Sequence, residues 1–236
     1  MITSLDNKKV KEWTKLHQKK YRINSYLLLN EELVFAAKEN NYLNTLIYVG
    51  DVPFEFNEAY EVSQEVMDKI SKKEGLSFIG IGRMIENKNN YQKRVIILDE
   101  LQDPLNIGRI MDNAYAFRFD SVILSNNSAD FYNEKALEAS RGALYKLNIN
   151  RCDIKKEIEE LKKDGFVVYS TGLKGNTKSL KEIEPQERMA FVLGNEGSGV
   201  EEDVFDISDE IVKIDMEHID SLNVAMAGAI VMYRFQ

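Results

Sequence analysis

The chain has 236 residues, 44% of them hydrophobic and 30% charged, and a formal net charge of −8 at pH 7. That is enough apolar material for two compact domains, and the wrong sign for a protein that holds nucleic acid through a general positive field. A single cysteine, Cys152, excludes an intramolecular disulfide and a structural zinc site. No apolar run approaches the roughly 18 residues of a membrane span, and "MITSLDNKKV" is charged where a signal peptide would be apolar. The expectation is a cytoplasmic protein with no use for membrane or metal.

The charge is unevenly spread. Residues 1–92 carry 13 basic and 13 acidic side chains, and residues 93–236 carry 18 and 26. Near the N-terminus Lys8, Lys9, Lys11, Lys15, Lys19, Lys20 and Arg22 face only Glu12, with Trp13, His17 and Tyr21 interleaved. Such a run is either a solvated helix face or an RNA-contacting arm. Apolar residues at helical spacing follow from Leu33 to Ala37, then a strand from Thr45 to Val49, then a second strand and helix in "AYEVSQEVMDKISKKEG". This half reads as a small α/β domain. The polar segment "ENKNNYQK" is its linker, which puts the boundary near residue 92.

Beyond it the pattern becomes regular: the strand "RVIILDE", a helix from about Asn106 to Phe117, the strand "SVILSN", a helix around "NEKALEAS" and the strand "LYKLNI". The helix "DIKKEIEELKKDG" comes next, then the strands "FVVYSTG", "RMAFVLGN" and "EIVKID", and a closing helix from about Ser221. Strands apolar on both faces, alternating with helices, imply a parallel sheet covered on both sides. Ligands of such sheets sit beyond the carboxyl ends of the strands. Three loops there are rich in particular residue types. In "LQDPLNIGRIMDNA", Pro104 opens a helix whose first turn Asn106 can cap. In "FVLGNEGSGV", Gly194, Gly197 and Gly199 let backbone approach a ligand beside Glu196. In "IDMEHIDSLNVAMAGAI", Ser221 reads as a helix cap, Asn223 as first-turn, and Ala225 to Ala229 as a close-packing face.

Taken in order, "DPLNIGRIMDNA", "LEASRGALY", "FVLGNEGSGV" and "IDMEHIDSLNVAMA" resemble the successive motifs of the SpoU-type (TrmH-like) RNA 2′-O-ribose methyltransferases of the SPOUT superfamily. The likeness spans nearly all of residues 93–236, and residues 1–92 resemble the RNA-binding domain often found ahead of it. The resemblance implies an α/β fold: a C-terminal parallel-sheet domain with a deep trefoil knot, preceded by a small α/β substrate-binding domain. It implies a homodimer, S-adenosyl-L-methionine as cofactor, and RNA as substrate, rRNA ahead of tRNA. Carried over by position, the cofactor is held by Thr171 and Gly172, by Leu193, Gly194 and Asn195, and by Ile214, Met216 and Leu222. Asn106, Glu196, Ser221 and Asn223 build the polar catalytic set, and Arg141 is an RNA-facing cation. Methyl transfer to a 2′-hydroxyl is an in-line displacement and requires no metal.

One position departs. The family's arginine at the end of the first motif aligns with Asp112, which reverses the charge that would hold a phosphate. Arg109, one turn earlier, could supply the guanidinium or be occupied by an i,i+3 pair with Asp112. Asp112 could itself be the base, if burial or Glu196 raises its pKa. Or the protein is a noncatalytic RNA-binding or ribosome-assembly factor on the same fold. Asp215 stands where Pro is usual, and Arg118 where a helix-ending Gly is common; His218 reads as a loop histidine.

Overall fold

A computed structural model of the chain describes residues 1–219 and 221–236. They form two compact units, Met1–Ile85 with Tyr132–Tyr145, and Glu86–Phe131 with Lys146–Gln236. In the first unit lie α1 (Lys8–Lys15), β1 (Ser25–Leu28), α2 (Glu31–Glu39), β2 (Leu43–Tyr48), β3 (Ala59–Glu61), α3 (Gln64–Ser71) and β4 (Phe78–Arg83). Its sheet runs β1-β4-β2-β3, with β4 antiparallel to both neighbours and β2 parallel to β3. The strand β4, "FIGIGR", goes unread in the sequence because its two glycines dilute the apolar signal. The basic stretch is not a loose arm: α1 buries Val10 and Trp13 in the core and turns its lysines outward.

In the second unit come β5 (Arg94–Leu98), α4 (Pro104–Ala116) and β6 (Ser121–Ser125). The helix α5 (Glu134–Ser140) belongs to the first unit. The second unit then resumes with β7 (Asn148–Cys152), α6 (Ile154–Lys163), β8 (Val167–Thr171), β9 (Thr177–Ser179), β10 (Met189–Leu193), α7 (Glu202–Ile207), β11 (Glu210–Lys213) and α8 (Val224–Arg234). All seven strands are parallel, in the order β7-β6-β5-β10-β8-β11-β9.

The boundary expected at residue 92 differs from these units in two places. Residues 86–92 are not a free linker, since Tyr91 is buried in the second unit, donates to Glu157 (2.6 Å) and accepts from Asn150 (2.7 Å). Burial first, then the Glu157 carboxylate, holds its phenol far above the ordinary pKa. Residues 132–145 join the first unit through aromatic packing: the Tyr145 hydroxyl bonds that of fully buried Tyr26 (2.9 Å), and the Tyr132 ring lies 4.5 Å from Tyr26.

Alternation along β10 shows how the second sheet is covered. Ala190 and Val192 pack with Ile158 and Leu161 of α6 and Val204 of α7, whereas Phe191 faces the other way and stacks on Tyr169 (5.1 Å) and Phe235 (5.0 Å). A Cβ on Gly228 of α8 would meet Leu193 at 2.8 Å, so the small-residue face of this helix is what lets it lie against β10. Burying each large side chain here contributes roughly 1.5–3 kcal/mol. Among the described residues, no helix is long and apolar enough to cross a membrane. The central strand β10 lies between β5 of the first half and β8 of the second, and such a change of direction leaves a crevice at the carboxyl ends.

Candidate active site

Helix α4 starts earlier than the sequence suggests. Its cap is Asp103, whose carboxylate accepts from Leu105 N (2.9 Å), with Pro104 as the first helical residue. Asn106 is therefore not the cap. It lies inside the first turn, 3% exposed, and its side chain is free to work across the crevice. Its Nδ2 donates to Glu196 Oε1 (3.0 Å) and its Oδ1 accepts from Asn223 Nδ2 (3.1 Å). Asn223 Oδ1 in turn accepts from Ala225 N (3.0 Å) and caps α8. The helix thus begins at Val224, not near Ser221, and Asn223 takes the capping role expected of Ser221, which is exposed in the preceding segment.

This relay fixes both amides. The Ala225 N–H at one end demands an oxygen and the Glu196 carboxylate at the other demands an N–H, so only one orientation of each asparagine satisfies the chain. Glu196 also accepts from the backbone N–H groups of Gln102 and Asp103, both at 3.2 Å. Burial acts to raise its pKa, but the hydrogen bond from Asn106 and those from the backbone N–H groups of Glu196, Gln102 and Asp103 outweigh it. The carboxyl is held below its ordinary value.

The loop that carries Glu196 is closed on itself. Asn195 and Gly199 exchange N–H···O bonds of 2.9 Å, Asn195 Oδ1 accepts from Gly197 N (2.8 Å), and Asn195 Nδ2 donates to Glu100 O (2.7 Å). Gly194 has no alternative here, because a Cβ would lie 2.1 Å from Val200 N and 2.2 Å from Gly199 C.

A cavity of about 660 Å³ opens between this loop, the end of β8, and residues 212–216 and 221–227. All eight expected cofactor positions, Thr171, Gly172, Leu193, Gly194, Asn195, Ile214, Met216 and Leu222, lie on its wall, as do Glu196, Ser221 and Asn223. Thr171 spends its hydroxyl on Val192 O (2.9 Å), so it ties β8 to β10 and offers the cavity its remaining atoms. Phe205, Lys174 and Ala227 also line the cavity. Phe205 comes from α7, whose sequence carries no motif, and only its closeness to Gly172 marks it: a Cβ there would meet its ring at 2.7 Å.

Arg109 and Asp112 stand apart from this wall. Arg109 is exposed and Asp112 half-buried, and among the described residues neither has an ion pair, so the i,i+3 pair considered from sequence is not formed. Glu196 is bonded to the start of α4, and Asp112 lies six residues beyond Asn106, about 9 Å along the axis. Hydrogen-bonded coupling of the two carboxylates is out of reach. Asp215 accepts from Ser179 Oγ (2.5 Å) and lies 3.8 Å from Lys181, so its charge is partly countered. Arg118 has φ +60°, the left-handed conformation for which a glycine would be usual after a helix. His218 is exposed beside Glu217. Burial first, with Glu157 adjacent, pushes the Cys152 thiol up to about 12, which leaves no thiolate nucleophile.

The RNA-binding candidates all belong to the first unit. Arg141 is exposed and ends α5 with φ +49°. Lys8 pairs with Glu12 (3.9 Å), Lys11 with Asp6 (2.8 Å), and Lys9 donates to the Tyr60 hydroxyl (2.8 Å). Lys15, Lys19 and Lys20 are exposed. Arg22 is a correction: only 9% exposed, it donates to Leu16 O and His17 O (both 2.9 Å) and holds a turn from within.

Comparison with known proteins follows the same outline. The model of the SpoU rRNA methylase family matches residues 93–233. The chain is similar to the 23S rRNA (guanosine(2553)-2′-O)-methyltransferase RlmP of Bacillus subtilis, with 32% identity over 245 residues, covering 100% of this chain and 98% of the relative. It is 36% identical over 141 residues to a putative TrmH family tRNA/rRNA methyltransferase of Staphylococcus aureus (strain COL), covering 59% of this chain and 56% of that protein. Among solved structures, the AdoMet-bound rRNA methyltransferase from Sinorhizobium meliloti superposes with a TM-score of 0.89 at 24% identity, covering 99% of this chain and 95% of that one. The SpoU methyltransferase AviRb from Streptomyces viridochromogenes, in complex with AdoMet, gives 0.85 at 20% identity, covering 97% and 96%.

Proposed function

Because this chain belongs to the SpoU rRNA methylase family, we propose that the cavity and the Asn223–Asn106–Glu196 relay are one active site, in which a methyl group passes from S-adenosyl-L-methionine to a ribose 2′-hydroxyl of rRNA. The protein is an S-adenosyl-L-methionine-dependent RNA methyltransferase, and the noncatalytic alternative is set aside. The observation that carries the site is that every position expected to hold cofactor lines one cavity, and that the polar residues Glu196 and Asn223 border it.

The residues present fit the cofactor. The volume lies within the range of about 300–1,000 Å³ usual for small-molecule sites. Leu193, Ile214, Met216 and Leu222 offer apolar faces for an adenine, and the absence of a Cβ at Gly194 lets the Gly199–Val200 backbone close in to shape the loop that borders the cavity. When bound, S-adenosyl-L-methionine supplies an electrophilic methyl group on a sulfonium. Glu196, with three bonds to donors and its pKa depressed, stays ionised and is a weak proton acceptor. Its part is a fixed negative charge and an anchor that sets Asn106 and Asn223. Ser221 aligns the ribose hydroxyl, a role supported by its exposure on the cavity wall. Arg109, exposed and without an ion pair among the described residues, takes the phosphate-holding role left open at Asp112.

The same reading includes the trefoil knot, supported by family membership and by the convergence of the 194–200 loop with residues 212–216 and 221–227 on one cavity. It also includes a homodimer. Met226, Ile230 and Tyr233 are exposed at 60%, 40% and 65% on a single face of α8, an apolar stripe of the kind subunit interfaces cover. The first unit serves as the RNA-binding domain, and the protein works in the cytoplasm, with the rRNA.

Purified protein given labelled S-adenosyl-L-methionine and 23S rRNA from cells lacking it is expected to deposit one 2′-O-methyl mark, and Arg109→Ala to raise the KM for RNA. Transfer to no RNA would refute the proposal.

A further inference from the structure

We propose that the turn from Lys15 to Ile23 is a binding site for a single-stranded stretch of RNA, in which Tyr21 stacks on a base and Lys15, Lys19 and Lys20 take the flanking phosphates. This rests on the reading above that the substrate is RNA, and adds which surface meets an unpaired part of it.

The turn presents aromatic and cationic groups together. Tyr21 is 40% exposed and Ile23 76%, an unusual outward placement for two large apolar side chains two residues apart. The ammonium groups of Lys15 and Lys20 lie 5.5 and 5.0 Å from the centre of the Tyr21 ring, within cation–π range. Among the described residues neither they nor Lys19 has an ion pair, whereas Lys8 and Lys11 do. Uncompensated positive charge is thus concentrated around one ring, on a chain whose net charge is −8.

The turn is also held rigid from beneath. Leu16 is buried, the Arg22 guanidinium donates to the carbonyls of Leu16 and His17, and His17 Nε2 lies 2.7 Å from Ile70 O. Gln18 N donates to Lys15 O and Tyr21 N to Gln18 O, both at 3.0 Å. A preformed platform loses little conformational entropy when a ligand arrives. An exposed aromatic face bracketed by cations matches the chemistry of an unpaired nucleotide, whose base offers a π-face and whose backbone offers phosphates. A duplex keeps its bases stacked on one another and would use the lysines alone. An acidic peptide would likewise gain nothing from the ring.

Fluorescence anisotropy with the full-length protein tests this, using a labelled oligoadenylate of about twelve nucleotides and an RNA duplex of matching length. Tyr21→Ala should weaken the single strand by about 5- to 100-fold, leave the duplex unchanged, and be rescued by Tyr21→Trp. Lys15→Gln with Lys20→Gln should reduce the slope of log K against log salt by about 1.4 for the single strand. Equal affinity of Tyr21→Ala and wild type for the oligoadenylate, or displacement of it by polyglutamate as readily as by RNA, overturns the proposal; so does failure of the wild type to bind at low salt. Calorimetry with S-adenosyl-L-methionine reports separately on the second unit, and should give the same affinity for Tyr21→Ala as for wild type. Loss of oligonucleotide binding in Tyr21→Ala together with a raised KM for RNA in methyl transfer supports the proposal; a wild type that binds oligoadenylate but transfers no methyl group would fault the active-site reading instead.

Discussion

Replacing Asn106 by alanine removes both links of the relay at once. The bond to Glu196 ends on a charge and is worth about 1.5–3 kcal/mol, while that from Asn223 is neutral and worth about 0.5–1.5 kcal/mol. Together they amount to about 2–4.5 kcal/mol, shared between folding and the transition state. If most of it orients Glu196 and Asn223 during reaction, methyl transfer slows on the order of 100-fold, and the affinity for S-adenosyl-L-methionine changes little, since Asn106 is not on the cavity wall. Single-turnover transfer at saturating cofactor, with calorimetry and a thermal melt, separates the terms. Asn106→Asp sharpens the comparison. It keeps an acceptor for Asn223 but sets a second carboxylate where the 3.0 Å bond to Glu196 was, and two like charges that close cannot both stay ionised. A variant with a lowered Tm and an undiminished single-turnover rate would show that the relay only supports the fold.

Gly194→Ala should raise the Kd for S-adenosyl-L-methionine at least about tenfold, because a methyl 2.1 Å from a backbone nitrogen forces the Asn195–Gly199 loop outward; unchanged binding by calorimetry would contradict this. Glu196, depressed in the fold, contributes stability that is complete above the ordinary carboxylate pKa and is lost as the pH falls through its lower folded value. Acid melts of Glu196→Gln should therefore show a flatter fall in Tm below about pH 4.5 than the wild type, with the two curves parallel at neutral pH. Arg118→Gly, at φ +60°, should stabilise the protein by up to about 1 kcal/mol in denaturant melts.

What the sequence reveals here depends on how local the signal is. The parallel sheet is legible because β5, β6 and β10 are buried runs with clear turns between them, and the cavity wall because each of its loops carries a dense motif. The three-residue β9 is too short to show any period, and β4 is masked by its glycines. The caps were misplaced for a different reason: Asp103, Asn106, Ser221 and Asn223 are all competent capping types. Which of them caps is decided by the relay between α4 and α8, a tertiary choice that spacing along the chain does not contain. The same holds for residues 132–145. Their helix reads as the next step of the alternation, and only the Tyr26–Tyr132–Tyr145 cluster assigns it to the first unit.

The reversed charge at Asp112 can be narrowed on these grounds. Every bond of the relay is satisfied by residues 102, 103, 106, 196, 223 and 225, and none by residue 109 or 112. On the proposed reading, cofactor and polar set are in order whatever stands at Asp112, and the exchange acts on the RNA side. A protein that gives up one phosphate contact beside the reacting ribose loses affinity that must come from other places on the nucleic acid. Cations held on a rigid turn of the other unit are one such place, since binding distributed over two surfaces can replace a single strong contact when both engage the same RNA. On that account Asp112→Arg should tighten RNA binding most in a protein whose Lys15 and Lys20 have already been neutralised, and least in the wild type. Identical gains in the two backgrounds would show that the sites do not compensate for one another.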